Sequence, residues 1–165
     1  LSTMHTVDAA ETLGRLVEFF PAAKQPQVRS ILAGVLKGVI SQRLLPRTDG
    51  GRIAAVEVMV ANARIRELIR ENKPEFVPEA IAEGAFFQMQ TLTKALIDLV
   101  VSGDVDQETA AAAAPNRHDF MIALDRALKE HAVQESEEPV KDAEPEQPAV
   151  HDGHALRLDN DLRIA

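Results

Sequence analysis

The chain has 165 residues, 45% of them apolar, enough for one domain with a hydrophobic core. It has no Cys, which excludes disulfides and thiolate metal sites, and no Trp or Tyr, which leaves Phe to supply the bulky rings of an otherwise aliphatic core. The net charge of -8 is unevenly placed, with 15 Lys and Arg against 17 Asp and Glu through Ala132 and 3 against 9 beyond it, so the near-neutral body offers no basic face for nucleic acid.

No apolar run approaches the roughly 20 residues of a membrane span and no basic-then-apolar leader opens the chain. The expectation is a cytoplasmic protein that meets a membrane only through partners. Residues 1–4 read as the end of a strand entered from upstream, and the missing initiator Met reads as the sign of a fragment. Asp8 followed by Glu11 forms a capping-box-like helix start, with Leu13, Leu16, Val17 and Phe20 carrying the helix to Pro21. After a break at residues 24–26, apolar residues at Val28, Ile31, Leu32, Val35, Leu36, Val39 and Ile40 lay one stripe along a central helix, with Gly34 and Gly38 on its less apolar side. Residues 41–45 and 53–60 then read as a β-hairpin, because Asp49-Gly50-Gly51 supplies the positive φ angles of a tight reversal. No helix start follows that turn, so it is not a phosphate loop.

Residues 64–73 form a charged helix. At about 100° per residue, Ile65, Leu68, Ile69 and Asn72 face one way, Arg66, Arg70 and Lys73 gather on an adjoining side, and Glu67 and Glu71 lie opposite. Pro74 and Pro78 frame a short helix at residues 79–83, closed by Gly84. Leu92, Leu96, Leu99 and Val100 make another, ending near Gly103. Asp106 caps a helix at residues 110–114, with Val105 stapling it from outside. Asn116 caps the last helix, whose inner face is Phe120, Leu124, Ala127 and Leu128. Beyond Ala132 the sequence is acidic, Pro-containing and without periodicity, so residues 133–165 are expected to be disordered. His151 and His154 within it lack a third ligand, and no metal site is expected.

Four blocks of this sequence are similar to one family. LSTMHTVDAAETLGRLVEFFP resembles the His box of the secretion ATPase superfamily, and QVRSILAGVLKGVISQRLLP resembles the helix and S-Q-x-L strand that follow it there. IRELIRENK, residues 65–73, resembles the A-I-R-N-L-I-R-E-x-K signature of the type IV pilus retraction (twitching motility, PilT-like) ATPases. Seven of nine defined positions agree, namely Ile65, Arg66, Leu68, Ile69, Arg70, Glu71 and Lys73, with Arg64 in place of Ala and Glu67 in place of Asn. GAFFQMQTL, residues 84–92, is similar to the family's G-x-x-x-G-M-Q-T-L block without its second Gly.

The resemblance implies a helix-rich α/β fold, the C-terminal portion of a RecA-like P-loop ATPase core with a β-hairpin and a helical subdomain. It divides the chain into a core part at residues 1–61 with His box, central helix and hairpin, a helical subdomain at 62–132 and the acidic tail. It implies a hexameric motor that powers pilus retraction at the inner-membrane pilus machinery, with ATP and Mg bound in the intact enzyme. His5 would sense phosphate and couple it to motion, and the helix of residues 65–73 would meet a neighbouring subunit or the machinery. The chain has no G-x-x-x-x-G-K-[ST] loop and none of the acidic segments that hold metal in the family, so it is expected to bind no nucleotide and hydrolyse no ATP alone. The four-Cys zinc insertion of extension and type II secretion members is also missing, which favours the retraction branch. Alternatives are a pilus-extension or type II secretion ATPase, or a non-enzymatic helical interaction module.

Overall fold

A computed structural model describes residues 1–137. The order is α1 (Ala9–Glu18), α2 (Gln25–Val35), β1 (Gly38–Pro46), β2 (Arg52–Val60), α3 (Ala63–Glu71), α4 (Val77–Ala82), α5 (Leu92–Val101), α6 (Gln107–Ala113) and α7 (Arg117–Glu137), with single 3-10 turns at Ala22–Lys24, Pro74–Phe76 and Ala85–Phe87. It is a helix-rich α/β arrangement around one antiparallel hairpin. The hairpin pairs Gly38 with Val60 through to Pro46 with Arg52. Gly50 and Gly51 turn it at φ +96° and +78°. Its tip is tied down where the Thr48 hydroxyl donates to the Gly103 carbonyl at 2.8 Å and Arg47 pairs with Asp104 at 2.8 Å.

The two strands share a buried face and an open one. Directly paired residues of an antiparallel ladder lie on the same side. Leu45, Ala55, Glu57 and Met59 therefore point inward, whereas Ile40 and Leu44 are 74% and 60% exposed. The inward face serves two hydrophobic clusters. Met59 and Ala61 join Ala9 and Leu13 of α1, Ala33 of α2, Ile65, Leu68 and Ile69 of α3, and Val77 and Ile81 of α4. Leu45 and Ala55 join Leu92 and Leu96 of α5, Ala110 and Ala111 of α6, and Phe120 and Leu124 of α7. Glu57 stands on β2 between Ala55 of one cluster and Met59 of the other.

The local starts follow the expected capping chemistry. The side chains of Asp8, Asp106 and Asn116 accept backbone N–H groups at the heads of α1, α6 and α7. The central helix is shorter than its stripe suggests. α2 ends at Val35, Leu36 is already extended, and Val39 and Ile40 belong to β1. Both residues fit a helical spacing, but Val39 turns toward the core and Ile40 toward solvent, as strand alternation requires. Gly38 is thus a strand residue, not half of a helical glycine pair. A Cβ there would lie 2.6 Å from the Met59 carbonyl oxygen, so close strand approach is what requires glycine.

Residues 1–4 form no strand; they pair with no other strand among the described residues, and the chain is irregular up to α1. Asn72 does not continue the apolar face of α3. It ends the helix in the left-handed region at φ 57°, leaving Lys73 outside it. Leu128 is 42% exposed and not part of an inner face. α7 runs to Glu137, past Ala132, because the residues that follow include good helix formers and no Pro before Pro139. The rest of the acidic tail, with His151 and His154, lies outside the described residues.

Candidate functional site

His5 lies exposed in the segment that leads into α1. That segment is held by side chains of the first turns of the helix. The Val7 N–H donates to Glu11 Oε2 at 2.8 Å, and the Thr6 and Thr12 hydroxyls meet at 2.7 Å. The Thr12 hydroxyl also makes a 2.7 Å bond to the Asp8 carbonyl. His5 therefore projects from a latched, solvent-facing stretch. An imidazole so placed can exchange hydrogen bonds with an anion brought to it from outside.

The head of α1 is in turn fixed to the hairpin. The Ala9 N–H donates to Glu57 Oε1 at 2.8 Å, and Glu57 is 6% exposed. Burial pushes its carboxyl above the ordinary value of 4.5, opposed by the Ala9 N–H and reinforced by the charge of Asp8; the Leu92 N–H and the Ser41 hydroxyl favour its charged form to a smaller degree. A raised folded-state pKa means that the folded chain keeps a proton where the unfolded chain has lost it. Glu57 thus contributes stability in full below about pH 4.5 that is lost as pH rises through the folded value. Glu11, Glu71 and Asp106 are shifted down and act in the opposite sense. Comparing wild type with Glu57→Gln by urea unfolding from pH 4 to 8 cancels those groups. The difference is expected to move against wild type as pH rises and then level off; a difference constant across the range would refute this.

The signature residues of α3 do not form one patch. Ile65, Leu68 and Ile69 are core. Arg66 reaches back to α2, its Nη1 donating to the Ala33 and Gly34 carbonyls at 2.9 and 3.1 Å and its Nε to the Ala61 carbonyl at 2.7 Å. Two of these acceptors belong to the last turn of α2, whose carbonyls have no partner within the helix. Lys73 pairs with Glu71 at 2.9 Å. Arg70 is exposed, and its guanidinium is in no hydrogen bond or ion pair among the described residues. Leu68, Ile69 and Asn72 also line a cavity of about 280 Å³ with Leu13 and Val17 of α1 and Arg29 of α2, whose buried Nε has no acceptor among the described residues.

The block at residues 84–92 fastens β2 from outside. Val58 and Gln90 exchange backbone hydrogen bonds at 2.8 and 3.0 Å, and the Gln90 amide donates to the Val56 carbonyl at 2.9 Å. Thr91 caps α5, Met89 is buried, and Phe86 and Phe87 pack edge to face at 5.2 Å, both exposed. Glu57 is the residue that sequence reasoning missed, and Gln90 was read only as part of the matched block at residues 84–92, without its contact to β2. Glu57 was open to detection only as the one charge inside the apolar run of residues 53–60, and nothing local says which face it takes.

No protein-family model matches the chain. It is 42% identical over 118 residues to the type IV pilus retraction ATPase PilT of Pseudomonas aeruginosa, an overlap covering 72% of this chain and 34% of that protein. With the twitching motility protein of Neisseria gonorrhoeae the identity is 43% over 115 residues, 69% of this chain and 31% of that one. A crystal structure of the pilus retraction motor PilT with bound ADP superposes with a TM-score of 0.60 at 40% identity, over 70% of this chain and 32% of that chain. The ATPase DotB of Legionella pneumophila shares the fold, with a TM-score of 0.53 at 24% identity over 64% of this chain and 29% of its own. The chain spans about a third of the length of the curated relatives it matches.

Proposed function

The chain is homologous to one part of the type IV pilus retraction ATPases, and from that premise we propose that it is the C-terminal portion of a RecA-like motor that drives pilus retraction. The observation that carries this reading is the 118-residue match to PilT. In the intact motor, a ring of six subunits on the cytoplasmic side would turn ATP hydrolysis into withdrawal of pilin at the inner-membrane machinery. Among the described residues no helix is long and apolar enough to cross a membrane.

ATP and Mg would be held chiefly by residues that this sequence does not contain, since it has no P-loop. His5 is the group through which this portion reaches the phosphates. Its exposure on a latched segment suits a residue that completes a pocket assembled from elsewhere. The surface of α3 around Arg70 is the contact to a neighbour or to the pilus machinery.

The test is a chimera in which residues 1–132 replace the matching third of Pseudomonas aeruginosa PilT. Twitching and ATP hydrolysis are expected to survive the exchange. His5→Ala in the chimera should lower hydrolysis on the order of 10²-fold, the scale seen when one preorganised group at a developing charge is removed. A chimera that assembles and hydrolyses ATP equally well with Ala at position 5 would refute the role given to His5.

A further inference from the structure

Glu57 is the only charged side chain buried among the described residues, and the reading above gives it no part. We propose that Glu57 is a positioning residue for His5, fixing where the His5 segment leaves α1 and tying that position to the hairpin and to the first turn of α5. The inference rests on reading His5 as the residue that meets phosphate.

Three observations support it. The contacts that hold residues 6 and 7 all end on the first turns of α1, through Glu11, Thr12 and the Asp8 carbonyl. That turn is itself anchored by the 2.8 Å bond from the Ala9 N–H to Glu57, with Ala9 wholly buried. Finally, the carboxylate lies at the seam of the two clusters, beside the Leu92 N–H that opens α5 and the Ser41 hydroxyl directly across the ladder. Two residues before Leu92 stands Gln90, bridged to Val58. The one hydrogen bond of this side chain among the described residues joins β2 to α1, and the Ser41 hydroxyl of β1 and the Leu92 N–H of α5 lie close enough to favour its charged form.

A carboxylate suits this place because, when ionised, it only accepts, so it can take donors from several sides at once. A Gln side chain would turn an NH₂ toward one of them. The charged group facing Glu57 is Asp8 at the head of α1; β1 and α5 offer it an uncharged hydroxyl and a backbone N–H.

The test is an NMR pH titration of the full chain, following the His5 and His118 rings and the Ala9 and Leu92 amides. In wild type the Ala9 and Leu92 amides should move together as Glu57 titrates. The His5 ring should show a second inflection at that same pH, and His118 on α7 should lack it. In Glu57→Gln the second inflection should vanish from His5. A His5 ring with the same single transition in both proteins would overturn the proposal and leave Glu57 a purely structural residue. If Glu57→Gln fails to fold, the wild-type curve decides alone, because the shared inflection is read without any substitution. Loss of the phosphate role of His5 in the chimera would leave this coupling measurable, so the two failures are distinguishable.

Discussion

Replacing Phe120 with Ala will cost the chain about 3–5 kcal/mol, the range for deleting a large aromatic from a packed core. The ring is 0% exposed and sits where α7 meets α5 and α6, among Leu96, Val105, Ala110 and Leu124. The small residues Ala110 and Ala111 leave the neighbouring helix little side-chain volume with which to close the gap. Since domains of this size are stable by roughly 5–15 kcal/mol, the loss would bring the chain close to its unfolding limit. Urea unfolding followed by circular dichroism measures it directly. Phe120→Leu, which keeps most of the apolar volume, should cost clearly less; equal losses for the two substitutions would mean that the ring is not the seat of α7.

Arg70→Ala is expected to abolish retraction in the chimera while leaving the unfolding midpoint unchanged. Arg66→Ala is expected to lower stability by about 1.5–3 kcal/mol, the net worth of hydrogen bonds made by a charged donor. The sequence places both arginines on one side of a helix, where they read as a pair with one job. The structure separates them: Arg66 spends its donors on carbonyls at the end of α2 and on Ala61, whereas Arg70 is exposed with its guanidinium uncommitted among the described residues. Twitching and thermal unfolding, measured on each single variant, test the separation. An Arg70→Ala chimera that twitches normally removes α3 from the partner surface. An Arg66→Ala variant as stable as wild type would show that the end of α2 does not depend on it.

What could be read from the residues alone was what is settled within a few positions along the chain. Asp8, Asp106 and Asn116 bond to amides two or three residues ahead, and the Asp-Gly-Gly turn needs only its own φ angles, so those features are visible in the order of residues. The end of α2 was not visible, because Val39 and Ile40 satisfy helical and strand spacing alike. What decides is the ladder to Met59 and Val58, about 20 positions away. The site divides in the same way. His5 and the α3 signature were recognisable as short strings, but Glu57 joins Ala9 across 48 positions and Gln90 joins Val56 across 34, and no local pattern encodes such pairings. The role of Arg66 was hidden for the same reason, since it depends on where α2 stops.

The outer margin of β1 carries a practical consequence. Gln90 occupies the far side of β2, but no strand among the described residues pairs with the other side of β1, and Ile40 and Leu44 stand beside it in water. Unpaired strand amides next to bare aliphatic side chains form a template for self-association, with Lys37 before the strand, Arg43 on its inward face and Pro46 at its end as gatekeepers. A preparation of this polypeptide by itself will therefore tend to precipitate as its concentration rises, and a charge introduced at Ile40 is the simplest means of keeping it dispersed.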